Sequence, residues 1–466
     1  MLEQPPIPNP TQRTPLRRSM DLTVWEGVAF IMGNSLTAGV FVASFATALG
    51  ADARAMGVLG AMPSAAQLMQ LAGAHLVAHV GKRKVVFLGA NALCAAVWAV
   101  VAAAAFFLLP MPGQVWAFVA FYALTSVCVS TRGLAWLDWM RDMVPRALRG
   151  RFFAHRNRQA LLAGMLLSVP AAHLIDRYRA AHAGGGLEIF GAVFGIAAAL
   201  MAAAVFIGRR IDEPAMTPPD KDGLWKTAVR NAWSSKSFRH YFFFRLYICL
   251  AMSTTGPLLT FYLLRDLRCS TTLVNGLEVM ATLIGAATLL LWGKFADRVG
   301  NRPAMMLTFL IKVIWSGLWV FLTPEPGLPL LILIYVLSAH GPGNVLLHQS
   351  MLLKLVPDKG AAASLSMFNA ITQGAATLSP ILAGIAVQSI LPAQTTWLGV
   401  TLTNWQQLIL ISTVLRVGGV VGLIWVHEPA SMGLRAFVRS LRRGFTPEET
   451  FSAGLPLESD EEERKS

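Results

Sequence analysis

Gly293-Lys294-Phe295-Ala296-Asp297-Arg298-Val299-Gly300-Asn301-Arg302 is an abrupt polar interruption between two strongly apolar runs. Opposite charges stand side by side at Asp297 and Arg298, and glycines at the two ends permit a tight turn and close backbone approach. A weaker copy, Ala74-His75-Leu76-Val77-Ala78-His79-Val80-Gly81-Lys82-Arg83, holds the same place in the hydrophobic pattern of the first half. The chain therefore reads as a duplication.

Composition sets the solvent. Of 466 residues, 55% are hydrophobic and 14% charged, and the mean hydropathy is +0.54. A soluble chain of this length needs far more polar surface, whereas a membrane-spanning helix needs ~20 mostly apolar residues. Hydropathy divides the chain into about twelve such spans. The first six cover approximately 22–49, 55–79, 85–109, 115–140, 153–175 and 187–208. The second six cover approximately 240–264, 272–292, 303–323, 328–353, 361–390 and 404–426. Long uninterrupted apolar runs make these helices rather than barrel strands, since each span must satisfy its own backbone polar groups. The expected organisation is a segment 1–21, a bundle 22–208, a linker 209–239, a second bundle 240–427 and a tail 428–466. Residues 1–20 lack the apolar core of a signal peptide, so the first span is expected to be retained.

The net charge of +14 does not point to nucleic acid, because the basic residues lie in short loops between apolar spans. Arg13, Arg17 and Arg18 precede the first span, Lys82, Arg83 and Lys84 follow the second, and Arg141, Arg146, Arg149, Arg151, Arg156 and Arg158 surround the connection after the fourth. Arg209, Arg210, Lys221, Lys226, Arg230, Lys236 and Arg239 fill the linker. The alternate connections at Pro110–Gln114, Pro324–Pro329 and Leu391–Thr403 are nearly free of basic residues. The positive-inside rule then puts both termini and the linker in the cytoplasm. Cys94, Cys128, Cys249 and Cys269 form neither a disulfide framework nor a metal spacing and read as small buried hydrophobes. Around the linker, Trp225, Ala228, Val229 and Trp233 alternate with basic residues. After the last span Leu434, Phe437, Val438 and Leu441 do the same among Arg435, Arg439, Arg442 and Arg443. Both stretches are expected to lie along the membrane surface. The acidic Glu458–Ser466 is expected to be disordered.

Gly293 to Arg302 resembles the loop signature of the major facilitator superfamily of membrane transporters, Gly-x-(Leu/Phe)-Ala-Asp-Arg-x-Gly-(Arg/Asn)-Arg. The resemblance extends, as an architecture, over about residues 20–427. It implies an all-α membrane protein of twelve transmembrane helices in two six-helix pseudo-symmetric bundles, a substrate site between parallel repeats near the midplane, and alternating access. It also implies that the first, fourth, seventh and tenth helices line the cavity. Val144-Pro145 and Val356-Pro357 set a register in which Arg132 falls on Asn344 and Trp136 on His348. In the register of the two signature loops Glu26 falls on Arg245 and Asn34 on Ser253.

Charges inside a bilayer cost several kcal/mol and invite explanation. Arg132 lies nine residues before Arg141, about 14 Å inward at 1.5 Å per residue, and Trp136 and Trp139 share its face. His340, Asn344 and His348 form a polar stripe at i, i+4 and i+8. The expected substrate contacts are Asn34, Arg132, Trp136, Ser253, His340, Asn344 and His348. The alternatives are an internal ion pair for Arg132 and packing histidines for His340 and His348. Polar and small residues at Gly33, Asn34, Ser35 and Gly39, and from Ser253 to Pro257, predict weakened helices in spans one and seven. Glu278 and Glu26 are the candidate proton carriers, since a carboxylate in a low-dielectric site can hold a proton near neutral pH. Glu26 and Arg245 are expected to meet near the cytoplasmic ends. Lys312 and Arg416 fall on helices that the resemblance puts at the periphery, with Glu278 one partner for Lys312.

The cytoplasmic gate is expected at Gly293, Asp297, Arg298, Gly300 and Arg302, with Gly81, Arg149, Arg151 and Arg245. The resemblance implies that Asp297 locks against the other half at the start of the fifth helix, where Arg149, Arg151 and Arg156 cluster and the helix dipole favours an anion. Ala78 and His79 stand at the matching Asp and Arg positions, so the lock is expected to be asymmetric. No phosphate loop, metalloprotease helix or nucleophile elbow occurs, and neither an enzymatic activity, a metal nor a cofactor is expected. The expected function is secondary, proton-coupled transport of a small polar or anionic solute by a monomer in the lipid bilayer of the plasma (inner) membrane. A non-transporting protein on the same fold, such as an assembly factor, a lipid-handling protein or a sensor, is the alternative.

Overall fold

A computed structural model describes residues 10–107, 113–145, 148–182, 186–214, 233, 235–322, 327–356, 361–397, 399–428 and 431–432. The surface helices expected around Trp225 and around Leu434 to Arg443, and the acidic Glu458–Ser466, lie outside these residues. Among the described residues, eleven helices are long and apolar enough to cross a membrane. The remaining expected span, the second, is a pair of helices, Ala53–Leu68 and Gln70–Val80, joined at Met69. Apolar side chains face outward along the spans, with Leu166 78% and Leu290 77% exposed. Such a surface is what lipid requires and water forbids.

The predicted weak points are where the helices break. The first span runs Pro10–Ser35 and resumes as Gly39–Ala48, and the seventh runs Lys236–Ser253 and resumes as Gly256–Arg265. At the first break the hydroxyl of Thr37 donates to the carbonyl of Gly33 at 3.2 Å, so a side chain takes up a freed backbone acceptor. The tenth span also breaks, between Leu328–Ser338 and Gly341–Leu355, next to Pro342. The third to sixth spans are Arg83–Phe107, Gln114–Met143, Arg149–Ala181 and Glu188–Gly208. The ninth, eleventh and twelfth are Asn301–Leu318, Ala361–Ile385 and Asn404–Gly422. A short antiparallel hairpin, Gln394–Trp397 with Val400–Thr403, precedes the last span. Thr403 and Gln406 then form a capping box that starts that helix.

One expectation is corrected here. The eighth span continues as helix from Thr271 to Val299, through most of the stretch read as a loop. Lys294, Asp297 and Arg298 are exposed, and charges that reach water at a helix end do not interrupt the backbone ladder. The turn itself is confined to Gly300, whose φ of +93° explains the glycine.

The described residues fall into two compact units. In the first, Phe87, Ala135, Trp139 and Met140 form a buried core. In the second, Phe238, Tyr241, Phe309 and Met351 do so. The division does not follow the sequence repeat, because Gly256–Gly276 and Pro380–Gln388 belong to the first unit. These are the ends of spans seven, eight and eleven that lie away from the signature stretch. The Asp176 carboxylate, near the end of the fifth span, accepts the backbone N–H of Thr271 at 3.0 Å and that of Thr272 at 2.7 Å. It also accepts the Thr272 hydroxyl, at 2.6 Å. Asp176 thus caps the eighth helix from outside its own chain segment, satisfying orphan donors and complementing the helix dipole. Ser44 and Thr271 hydroxyls lie 3.2 Å apart, and Asn275 donates to the hydroxyl of Ser168 at 3.3 Å.

Gly57 and Gly384 let two backbones touch: a Cβ on Gly57 would overlap the Pro380 carbonyl, and one on Gly384 would overlap that of Ala53. Gly89, in the third span, has open space at its Cβ position. Gly384→Ala should therefore lower the thermal midpoint of the purified protein, by an overpacking cost of about 1–3 kcal/mol. Gly89→Ala should leave the midpoint unchanged or raise it, which differential scanning fluorimetry in detergent reads directly.

Candidate functional site

The first unit encloses a charge cluster. Glu26 is fully buried, and its carboxylate pairs with Arg132 through Oε1 and with Arg156, 3.5 Å from Oε2. Arg132 lies across the faces of Phe30 and Phe87, at 3.4 and 4.8 Å from the ring centroids, and Arg156 lies 4.2 Å over Trp136. The Nε of Arg156 donates to the Thr23 carbonyl at 3.3 Å. Gly27 makes room for this guanidinium, which a Cβ there would strike at 2.5 Å. One carboxylate answers two guanidiniums, and aromatic faces supply the remaining negative potential.

This arrangement changes four sequence-based assignments. Arg132 pairs with Glu26 and is 6% exposed, which is the internal ion pair given above as the alternative to a solute contact. Glu26 takes Arg132 and Arg156 as its partners in place of Arg245. Its carboxylate lies between the two guanidiniums. Trp136 stacks on Arg156. Arg156, expected to face Asp297, is buried in the cluster. Hydropathy located the depth of these residues. It carries no information on which face of a helix meets which neighbour.

A second polar cluster occupies the other unit. The Asn344 amide donates from Nδ2 to Thr308 Oγ1 at 2.8 Å, and its Oδ1 accepts from Lys312 Nζ at 2.9 Å. Lys312 also reaches Met252 Sδ at 3.1 Å. Arg416 is 2% exposed and bonds Ser316 Oγ, Ser412 Oγ and Thr255 Oγ1 at 2.7, 2.5 and 2.9 Å. Lys312 and Arg416 were assigned to the periphery, but both turn inward. Asn344 takes the place of Glu278 as the partner of Lys312. Glu278 itself is half-buried, without an ion-pair or hydrogen-bond partner for its carboxylate among the described residues. His348 Nδ1 lies 2.8 Å from Tyr241 Oη, His340 Nδ1 lies 2.5 Å from the Leu337 carbonyl, and both Nε2 atoms are buried without a partner. Ser253 closes the first half of the seventh span. Arg245 is half-exposed.

The signature stretch and its copy are each tied down within their own unit. Glu428, 3% exposed, accepts from the backbone N–H of Asn301 at 3.2 Å and of Arg302 at 2.7 Å, from Asn301 Nδ2 at 2.9 Å and from Lys354 Nζ at 2.9 Å. Arg302 donates to the carbonyls of Leu423 and Ile424 at 3.0 and 2.9 Å. In the first unit Glu213 accepts the Lys84 N–H at 3.1 Å, and Lys84 Nζ reaches the carbonyls of Arg209 and Ile211 at 2.8 and 2.7 Å. Arg83, fully buried, bonds Asp142 at 2.5 Å. Each carboxylate follows the last span of its half and caps the start of the third span of that half. The missed signal was in the sequence: Glu213-Pro214-Ala215 repeats as Glu428-Pro429-Ala430.

Of the residues assigned to a gate, Gly300 and Arg302 belong to this staple. Gly81 ends the second span with a φ of +67°. Arg149 donates to the carbonyls of Val144 and Arg141. Asp297, Arg298 and Arg151 are exposed, and Gly293 is half-buried.

Asn34 lies on a cavity of about 170 Å³ in the first unit, together with Thr37, Gln67, Trp98, Tyr122 and Thr125. Ser130, also on its wall, has a buried hydroxyl without a partner. The lining mixes polar side chains with apolar ones such as Pro63 and Val129 and carries no charged side chain. Among the described residues no cluster of His, Cys, Asp and Glu is built to hold a metal ion.

Comparison with known proteins places this geometry. The sequence model of the Major Facilitator Superfamily matches residues 27–337 and 241–454. No curated protein sequence matches. Among solved structures, a mutant of the nucleoside transporter NupG has a TM-score of 0.65 at 16% identity, covering 88% of this chain and 100% of its own. A bacterial homologue of the iron transporter ferroportin in its inward-facing state gives 0.64 at 14%, covering 88% and 99%. A bacterial homologue of the human lysosomal transporter Spinster, inward-facing and occupied, gives 0.63 at 13%, covering 95% and 100%. At these identities the likeness is one of fold.

Removing the central carboxylate tests the first cluster. Glu26→Gln leaves two buried guanidiniums without an anion and should destabilise the protein by about 3–5 kcal/mol, the usual cost of breaking a buried pair. Glu26→Gln combined with Arg132→Met should recover part of the loss. A melting curve of Glu26→Gln that overlays the wild type contradicts the cluster.

Proposed function

The chain belongs to the major facilitator superfamily, and on that premise we propose that it moves a small polar or anionic solute across the membrane by alternating access, coupled to protons. The observation that carries the reading is the way one set of helix ends is closed. The ends of spans seven, eight and eleven join the first unit through a capping carboxylate, hydroxyl contacts and glycine backbone contacts. Polar caps and glycine contacts separate at lower cost than interdigitated apolar side chains, so this closure is suited to repeated opening. At the opposite ends the Glu213 and Glu428 staples hold each half as a body of its own. Helix ends that part at low cost, in a chain whose halves are each stapled, suit alternating access.

In this reading the cavity beside Asn34 receives the uncharged polar part of the solute, and Ser253, His340, Asn344 and His348 are the solute contacts of the second half. Glu278, unpaired in the eighth span, is the proton carrier. Asp297 provides the lock on the side that the loop arginines assign to the cytoplasm, with both termini on that side of the plasma membrane. By their printed names the structural neighbours include a nucleoside transporter and a bacterial homologue of an iron transporter, and that range leaves the solute to be read from this chain's own residues.

Proteoliposomes given a panel of nucleosides, carboxylates and sugar phosphates test the proposal. At least one solute should accumulate above empty vesicles, more so under an imposed proton gradient. Glu278→Gln should remove the effect of the gradient while leaving solute exchange. Failure of every solute to enter contradicts transport. Asp297→Asn should slow uptake more than any substitution at Ala78 or His79, and equal effects would refute an asymmetric lock.

A further inference from the structure

The two polar clusters differ in one respect that the transport reading does not use. The first contains its own anion, Glu26. Among the described residues, the second holds Lys312 and Arg416 with no carboxylate within ion-pair distance of either. Its acceptors are neutral: an amide, hydroxyls, a carbonyl and a thioether. Arg416 is largely saturated by them. Lys312 is not, because an ammonium has three N–H donors and, among the described residues, its hydrogen bonds go to Asn344 Oδ1 and the weak acceptor Met252 Sδ, with the Phe309 ring 5.4 Å away as its one aromatic contact. Asn344 cannot turn away, since its Nδ2 is fixed on Thr308. Uncompensated cations in a bilayer interior cost several kcal/mol and repel one another. A structural role is served better by a paired carboxylate, as the first unit demonstrates.

We propose that Lys312, oriented by Asn344, is the recognition group for a carboxylate or phosphate on the transported solute. The missing counter-charge of the second unit is then supplied by the cargo. His340 and His348 present their unpartnered Nε2 atoms on the same helix stripe as Asn344. A lysine ammonium is a point charge rather than a planar fork, so the site selects for charge and not for bidentate geometry. Carboxylate and phosphate are therefore one class to it, and the probes below separate them. This inference rests on the transport reading for the word cargo, but the binding site can be tested without it.

Purified full-length protein in detergent is titrated calorimetrically with sodium phosphate and sodium succinate at constant ionic strength, with glycerol as the neutral control. The wild type should bind at least one anion saturably and glycerol not at all. Lys312→Met should weaken that binding by about tenfold or more, since the charge is the recognition element. Asn344→Asp is the sharper variant: it places a carboxylate beside Lys312, so it should raise the melting temperature of the unliganded protein while weakening anion binding to the same degree. That double effect also covers the case in which Lys312→Met fails to fold. A wild type that binds neither anion, or an Asn344→Asp protein that binds as the wild type does, overturns the site. Counterflow of the bound anion in proteoliposomes reads transport separately. Binding without counterflow overturns the transport reading and leaves the site standing. Counterflow undiminished in Lys312→Met overturns the site and leaves transport standing.

Discussion

A charge that cannot reach water must be answered from inside the protein, and in a bilayer there is no partial solution. That constraint organises both halves of this chain. Glu26 draws Arg132 and Arg156 onto itself and so fixes the first, fourth and fifth spans against one another. Arg83 with Asp142, and Glu213 and Glu428 at the helix starts, do the same at the membrane edge. The cluster around Lys312 breaks the rule among the described residues. It sits among amides and hydroxyls with no anion at hand.

The fold was legible because its signal is local. A run of apolar residues long enough to cross a membrane needs no partner to be recognised. The helix breaks at Ser35 and Ser253 were legible for the same reason, since small and polar residues beside glycine weaken a helix wherever it sits. The end of the eighth span was misread. Polar residues from Lys294 to Arg298 look like a loop in hydropathy, but a helix can run past the apolar zone into the headgroups, and here it runs to Val299.

The site was half legible. Sequence placed Arg132 and Asn344 well inside their spans, with His348 on the polar stripe of Asn344, and the structure buries all three. It could not choose between a solute contact and an ion pair for Arg132, because that choice depends on which helix faces meet. Lys312 was misassigned for the same reason: a peripheral helix still has one inward face, and Lys312 lies on it beside Asn344. The Glu-Pro-Ala repeat at 213–215 and 428–430 was open to plain reading and points to the paired helix-start caps. Asp176 gave no such signal. Its role depends on Thr271 and Thr272, which lie about a hundred residues further along and meet it only in the folded chain.

The central claim is that the contacts closing the ends of spans seven, eight and eleven must separate for solute to cross. Ser44 and Thr271, whose hydroxyls lie 3.2 Å apart, are the place to test it. In a background with the four native cysteines replaced, Ser44→Cys and Thr271→Cys together can be oxidised to a disulfide and reduced again, and solute flux into proteoliposomes measured in each state. Flux that stops on oxidation and returns on reduction is the result predicted here. Flux that continues at the same rate through the cross-linked protein would contradict alternating access in this chain.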